Sequence, residues 1–293
     1  MYYIIVNKTS GRKKKQSKRI DIVKNYLDEN HIEYEWYETQ YAKHPIELAR
    51  QITTSHEGGN LIIIGGDGTL SEVINGMENK DKWNVGIIPN GSGNDFASNV
   101  GLNPKKPLDN LKKILEGEAK PIDLIQMNNE VCINVLGTGI DVTVLLNFEK
   151  HKKLSGSFRY FISLVEALLH TKWYEFDVSL DDGEFIHKKG FIITLCNGST
   201  IGGGIPICPG AKVDDGKLEF VFVKEIKKRR IPGMLISLMK GHILEKDICE
   251  HIYCEKAVFK DADNFVVQVD GNLIEPTNYY TCEIIKNGLN LYR

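Results

Sequence analysis

The pattern best suited to chemistry is Gly65-Gly66-Asp67-Gly68-Thr69, which follows the apolar run Leu61 to Ile64 and precedes a helical pattern from Leu70 to Met77. Three glycines in four positions let the backbone approach a ligand closely. The next helix offers free N–H groups and a positive dipole end, which suit phosphate oxygens. A carboxylate in such an anion-binding loop is costly unless it holds a metal ion or takes a proton, so Asp67 is the first candidate catalytic residue. The plainer alternative is a glycine-rich turn with a capping aspartate. No Lys-Ser or Lys-Thr follows the glycines, so this is not a P-loop. A second strand–loop–helix pattern is Pro89-Asn90-Gly91-Ser92-Gly93-Asn94-Asp95-Phe96-Ala97. Ser92 can donate to a phosphate, while Asn94 and Asp95 sit where a helix cap would sit. Alone, it reads equally well as a capped helix. Two such loops at neighbouring strand ends would face one crevice.

The elements that must carry these loops alternate. Tyr2 to Val6, Glu33 to Tyr37, Leu61 to Ile64 and Val85 to Ile88 read as strands. Between them lie a basic helix ending at Leu27 and a helix from Ile46 to Thr54 opened by Pro45, a position helices tolerate. This alternation predicts an α/β domain with a parallel sheet over residues 1–125, with 286–293 as a candidate return to it. Ligands of such sheets bind at the carboxyl ends of the strands. Residues 126–285 predict a mostly β, sandwich-like second domain. Its expected strands are Val131 to Leu136, Tyr174 to Leu180, Gly190 to Leu195, Lys217 to Val223, Ile252 to Phe259 and Phe265 to Val269, with Tyr280 to Ile285 closing either domain. Helical inserts are expected at Phe158 to His170 and Pro232 to Met239, and Gly202-Gly203-Gly204 as a tight turn.

Composition bounds the function. The 293 residues carry 37 basic and 39 acidic side chains, with 42% hydrophobic and 26% charged residues, which excludes a disordered, collagen-like or disulfide-framed chain. Length allows about two domains of roughly 150 residues. No apolar run reaches the roughly 20 residues of a spanning helix, and the N-terminus lacks the pattern of a secretory signal. The cysteines (Cys132, Cys196, Cys208, Cys249, Cys254, Cys282) form no C-x-x-C pair and no zinc spacing with histidine, so reduced, buried thiols in a cytoplasmic protein are expected. A histidine-based metal site is not expected, and no G-x-S-x-G elbow marks a serine hydrolase. Basic clusters at Arg12 to Arg19, at Lys150, Lys152 and Lys153, and at Lys224 to Arg230 read as solvated faces or as attraction to phosphate or an anionic bilayer. Nucleic acid is not expected, because no aromatic pattern accompanies the charge.

Together the two loops make the chain resemble the diacylglycerol-kinase catalytic-domain family, which includes bacterial lipid kinases and the sphingosine and ceramide kinases. Asn7-Lys8-Thr9-Ser10-Gly11, Thr39 with His44, Asn134 to Asp141 and Ala211 to Leu218 support the likeness, which covers nearly the whole chain in order. Gly-Gly-Asp-Gly-Thr also occurs in NAD kinases and phosphofructokinases; the Asn94-Asp95 loop selects the lipid branch. The resemblance implies an NAD-kinase/phosphofructokinase-like first domain and ATP- and Mg2+-dependent transfer of the γ-phosphoryl group to a lipid hydroxyl, with diacylglycerol giving phosphatidic acid. It implies that Asn7, Ser10, Gly11, Thr39, Gly65, Gly66, Asp67, Gly68, Thr69, Glu72 and Ser92 line the nucleotide, and that Asp67, Asp123 and the position of Asn272 carry catalysis. Asn94, Asp95 and Asp141 fall to the lipid substrate, and Asp215 with the carbonyls of Lys212 and Lys217 to a structural Mg2+. Leu145 to Phe148 and Phe158 to Leu169 are candidates for an acyl slot or, equally, for ordinary core packing. Peripheral contact with the inner face of the membrane through the basic clusters and a homodimer follow from the same likeness. One position departs from it: the family's Asp-Gly-Glu is Asp270-Gly271-Asn272 here, and asparagine cannot accept a proton. A weak or non-catalytic nucleotide- and lipid-binding relative, and a soluble-substrate kinase of NAD-kinase type, are the alternatives.

Overall fold

Tyr2–Val6 is strand β1, followed by α1 (Lys13–Glu29), β2 (Tyr34–Glu38), α2 (His44–Ser55), β3 (Gly59–Gly65), α3 (Asp67–Gly76), β4 (Trp83–Pro89), α4 (Asp95–Asn99) and α5 (Pro107–Glu116). The computed structural model describes residues 1–8, 13–151, 154, 156–170 and 173–293, and the backbone alone at 13–16, 156 and 157. Ser10 and Gly11 of the expected nucleotide site, with Thr9, Arg12, Lys152 and Lys153, lie outside the described residues. Strands β2, β1, β3 and β4 run side by side, all parallel. Alternate residues Ile4, Val6, Ile62, Ile64 and Ile88 pack against Ile20, Val23 and Leu27 of α1 and Leu111 and Ile114 of α5. The intervening Ile5, Ile63 and Ile87 are buried as well, and α2 and α3 pack against each other and against β1 and β3. Burial on both faces explains why these strands read as unbroken apolar runs.

The chain divides into two compact units, Met1–Ile122 with Asn287–Arg293, and Asp123–Lys286. Strand β5 (Ala119–Met127) leads into the second unit. There follow β6 (Glu130–Cys132), β7 (Val135–Gly139), α6 (Ile140–Lys150), α7 (Gly156–Leu169), β8 (Tyr174–Leu180), β9 (Ile186–Cys196), β10 (Thr200–Ile201), β11 (Ile205–Pro206), β12 (Leu218–Lys224) and α8 (Ile231–Met239). The last strands are β13 (Cys249–Cys254), β14 (Lys256–Phe265), β15 (Gln268–Val269), β16 (Asn272–Leu273) and β17 (Thr277–Tyr292). Pairing here is antiparallel, with the long β9 bonded to β8 along its first half and to β7 and β12 along its second. Phe176, Ile193, Leu195, Phe220, Phe259 and Tyr280 meet in one core. The end of β17 returns to the first unit, pairing parallel with β4 at Asn290↔Asn84 and Leu291↔Val85.

Several elements differ from expectation for identifiable reasons. The run Val131 to Leu136 divides into β6 and β7 because the N–H groups of Ile133 and Asn134 turn to the carboxylate of Asp270, 2.9 Å away. Ile252 to Phe259 divides at Glu255, whose N–H bonds Asp181 Oδ1 at 2.8 Å. Helix α3 starts at Asp67 rather than Leu70, its first turn closed by Leu70 N–H on the Gly66 carbonyl at 3.0 Å. Helix α6 was not expected at all; its apolar residues at 140, 142, 144, 146 and 148 alternate as in a strand, which hides the helical period. The Gly202–Gly204 turn joins β10 to β11, with φ of 63°, 86° and 107° that glycine adopts freely.

Candidate active site

Strands β3 and β4 are parallel neighbours in register Gly65↔Pro89, so both glycine-containing loops leave the sheet at the same end. They touch. A Cβ on Gly66 would lie 2.8 Å from Gly91 Cα, and one on Gly91 only 2.5 Å from Gly66 Cα, so neither position admits a side chain without movement of backbone. Asn90 N–H bonds the Gly65 carbonyl at 2.7 Å. Asn94, at φ 58°, closes its own loop: Oδ1 accepts from Gly91 N–H at 2.8 Å and Nδ2 donates to the Gly91 carbonyl at 2.9 Å.

Asp67 joins the two loops. Its Oδ2 accepts from Asn94 N–H at 2.6 Å and its Oδ1 from Phe96 N–H at 3.3 Å. The first loop's carboxylate therefore caps the helix that the second loop begins, a job expected of Asn94 and Asp95 themselves. Burial, and then the negative charge of buried Asp95, push the Asp67 carboxyl from its ordinary 3.8 up to about 6, against the pull of the N–H groups. Asn7 Nδ2 donates to Thr69 Oγ1 at 2.9 Å, bringing the end of β1 onto the first turn of α3. Thr39 N–H bonds the Val6 carbonyl at 2.9 Å, so Thr39 sits at the same end of the sheet. Glu72 accepts from the N–H of Lys43, and burial raises its carboxyl above the usual range. Ser92 is exposed, and so is Gly68, with open space where a side chain would stand.

In the second unit, Asp123 is 2% exposed on β5. Its Oδ2 accepts from Gly216 N–H at 2.8 Å and its own N–H bonds the Val213 carbonyl at 2.6 Å, so it shapes the loop of Lys212, Asp215 and Lys217. Asp215 is exposed and accepts from Lys217 N–H at 3.2 Å. Asp270-Gly271, at φ 49° and 86°, is the two-residue turn between β15 and β16. The Asp270 carboxylate takes the N–H groups of Ile133, Asn134 and Val135. Asn272 follows on exposed β16. Glu275, the next carboxylate along the chain, is also exposed, its carbonyl held by Tyr280 Oη at 3.0 Å.

Asp141 opens α6 and is 3% exposed, with Oδ1 accepting from Val142 N–H at 2.8 Å. Burial raises its carboxyl to about 7. It lies at the wall of an apolar cavity of about 570 Å³, mouth included, lined by Val144 of α6, Tyr160, Leu164 and Leu168 of α7, and Met234 and Leu238 of α8. Helix α7 thus lines it with residues that also belong to the buried core. On α6, however, Val144 lines it, whereas Leu146 is half exposed.

Comparison with known proteins settles the family. The diacylglycerol kinase catalytic domain model matches residues 1–127, and the YegS C-terminal NAD kinase beta sandwich-like domain matches 134–291, more than half of the chain. This chain belongs to the diacylglycerol kinase catalytic-domain family. It is similar to the "Diacylglycerol kinase" of Bacillus subtilis (strain 168), 26% identical over 99% of this chain and 93% of that one. It is also similar to the "Probable lipid kinase YegS-like" of Shewanella frigidimarina, 32% identical over 66% of this chain and 63% of that one. A diacylglycerol kinase crystal structure from Bacillus anthracis str. Sterne has the same fold, with a TM-score of 0.79 at 21% identity over 99% of this chain and 96% of that one.

Within this lipid kinase family, the structure adds two features that sequence reasoning missed. One is the α8 wall of the cavity, read only as a helical insert; its signal was nine residues in which every position but Pro232, Gly233 and Ser237 is apolar. The other is the charge of Asp95 on Asp67, which only the contact of the two loops reveals.

Proposed function

We propose that the protein transfers the γ-phosphoryl group of ATP to the hydroxyl of a glycerolipid of the diacylglycerol class. The observation that carries this reading is Asp67, a carboxylate held by backbone N–H groups between two glycine-containing loops at one end of a parallel sheet. Phosphoryl transfer is chiefly positioning and charge neutralisation. The N–H groups at the start of α3, with Gly66 and Gly68 offering bare backbone and Ser92 an exposed hydroxyl, orient the phosphates. The lipid oxygen bonds to the γ-phosphorus as the bond to the β,γ-bridging oxygen breaks. Asp67 takes the hydroxyl proton: a carboxyl near 6 is ionised and basic enough at neutral pH.

Asp67 and Asp95 also fit Mg2+. Two carboxylates close enough for one to raise the other's affinity for protons form a hard oxygen set that a divalent cation relieves. Exposed Asp215, with the carbonyls of Lys212 and Lys217, is a second oxygen set, shaped by Asp123. Held by Asp67 and Asp95, Mg2+ would neutralise charge on the transferring phosphates; at Asp215 it would be structural. Lipid specificity is assigned to the apolar cavity, with Asp141 toward the polar head. Helix α8, whose Ile236 and Met239 are 57% and 44% exposed directly after the basic stretch Lys227–Arg230, suits an anionic bilayer surface.

Asp67→Asn is expected to lower transfer from ATP to diacylglycerol in mixed micelles by at least about 10²-fold with the fold intact; an unchanged rate overturns the reading. Asn272 favours a second one, a nucleotide- and lipid-binding relative without turnover, in which activity emerges only in Asn272→Glu.

A further inference from the structure

Among the described residues, one cluster of histidine, cysteine and carboxylate atoms has metal-ligand proximity, and it lies in the second unit, apart from every residue assigned above: Cys208, Glu219 and His251. Glu219 Oε2 lies 2.8 Å from Cys208 Sγ and 2.5 Å from His251 Nε2, with Sγ and Nε2 4.0 Å apart. The sheet register assembles the cluster. Glu219 on β12 pairs directly with Cys196 on β9, and His251 on β13 pairs with Val221, two residues along, so Cys196, Glu219 and His251 project from one face. Cys208 comes over that face from the segment after β11, its thiol against that of Cys196.

The Glu219 carboxylate is buried, with the Cys208 thiol and the His251 ring as its partners. Glu219 is 4% exposed, and Cys196 and Cys208 are 0% exposed, in a cluster with Val135, Ile207 and Val221. His251, with a side chain 24% exposed, forms the rim and leaves a way in from solvent. We propose that Cys208, Glu219 and His251 hold a zinc-class divalent ion, with the fourth tetrahedral position taken by a solvent ligand. A thiolate and an imidazole beside a carboxylate do not suit Mg2+ or Ca2+ and do suit Zn2+. Ligand bonds of about 2.0–2.3 Å place tetrahedral donors roughly 3.4–3.6 Å apart. The ion therefore moves Glu219 Oε2 away from its two neighbours by under about 1 Å and draws Sγ and Nε2 together by about half an ångström. The Cys208 thiol gives up its proton to solvent as the ion enters, and the His251 proton sits on Nδ1, leaving Nε2 for the ion. The consequence is structural. Ile205 and Ile207, just before Cys208, line the apolar cavity, so the ion pins that wall to the sheet.

The histidine and cysteine are too far apart in the chain to show a zinc spacing; strand pairing assembles them. The test is a titration of the reduced, chelator-stripped full-length protein with Co2+, then Zn2+. One equivalent of Co2+ with a thiolate charge-transfer band, displaced by Zn2+, is expected, as is a higher melting temperature with Zn2+. Cys208→Ala and His251→Gln are expected to lose the band and the shift, while His242→Ala, at an exposed histidine, keeps both. Absence of the band in the natural protein, or its survival in Cys208→Ala, overturns the proposal. If Cys208→Ala does not fold, His251→Gln decides: its partly exposed ring is replaceable, and a band of unchanged intensity there refutes the site.

Discussion

Replacing Asp67 with asparagine is expected to change stability in a way that depends on pH. The carboxyl titrates near 6 in the folded protein instead of 3.8. Well below pH 3.8 it is protonated in both folded and unfolded chains and contributes nothing. As pH rises through 3.8 the unfolded chain releases its proton while the folded one keeps it to about 6, so stability is lost across that window and stays lost above it. A shift of roughly two units corresponds to about 3 kcal/mol at 1.36 kcal/mol per unit. Asp67 is partly exposed, and solvent screening lowers this to roughly 1–2 kcal/mol. Asp67→Asn keeps an oxygen that can accept from Asn94 N–H but has nothing to ionise. Measured by urea unfolding with chelator present, the stability of Asp67→Asn relative to the natural protein should therefore rise by roughly 1–2 kcal/mol between pH 4 and pH 7. Saturating Mg2+ at pH 7 should shrink the difference by stabilising the natural protein alone. A difference that is the same at both pH values, or that changes in the opposite direction, refutes the account of Asp67 as a carboxylate strained by burial and Asp95.

Three further outcomes follow from the packing. Gly66→Ala places a Cβ 2.8 Å from Gly91 Cα and is expected to cost about 1–3 kcal/mol in thermal unfolding and to lose ATP affinity together with turnover. Asp141→Leu removes a buried carboxyl raised to about 7; it should stabilise the protein above that pH and raise the KM for lipid tenfold or more while leaving the KM for ATP unchanged, as separate substrate titrations would show. Ile236→Asp on exposed α8 is expected to reduce sedimentation with anionic vesicles without altering the far-ultraviolet circular dichroism.

Much of the first unit was legible because its signals are local. Tyr2–Val6 is apolar throughout and forms the strand at those bounds. The two glycine-containing motifs follow apolar runs and fall at neighbouring strand ends. What Asp67 does there was not legible, since its hydrogen bonds depend on Gly66 and Gly91 meeting across two strands. The second unit was read as mostly β, as found, but without β5, β10, β11 and β16 and with wrong divisions at Ile133–Asn134 and Glu255, because Asp270 and Asp181 draw those N–H groups from far along the chain. The Cys208, Glu219 and His251 cluster was invisible for the same reason.

The most direct test is transfer of labelled γ-phosphate by the natural protein, with Mg2+, offered diacylglycerol in mixed micelles and NAD in parallel. The account predicts label on the lipid, none on NAD, and loss of lipid labelling in Asp67→Asn. Label on NAD, or lipid labelling that emerges only after Asn272→Glu, would contradict it.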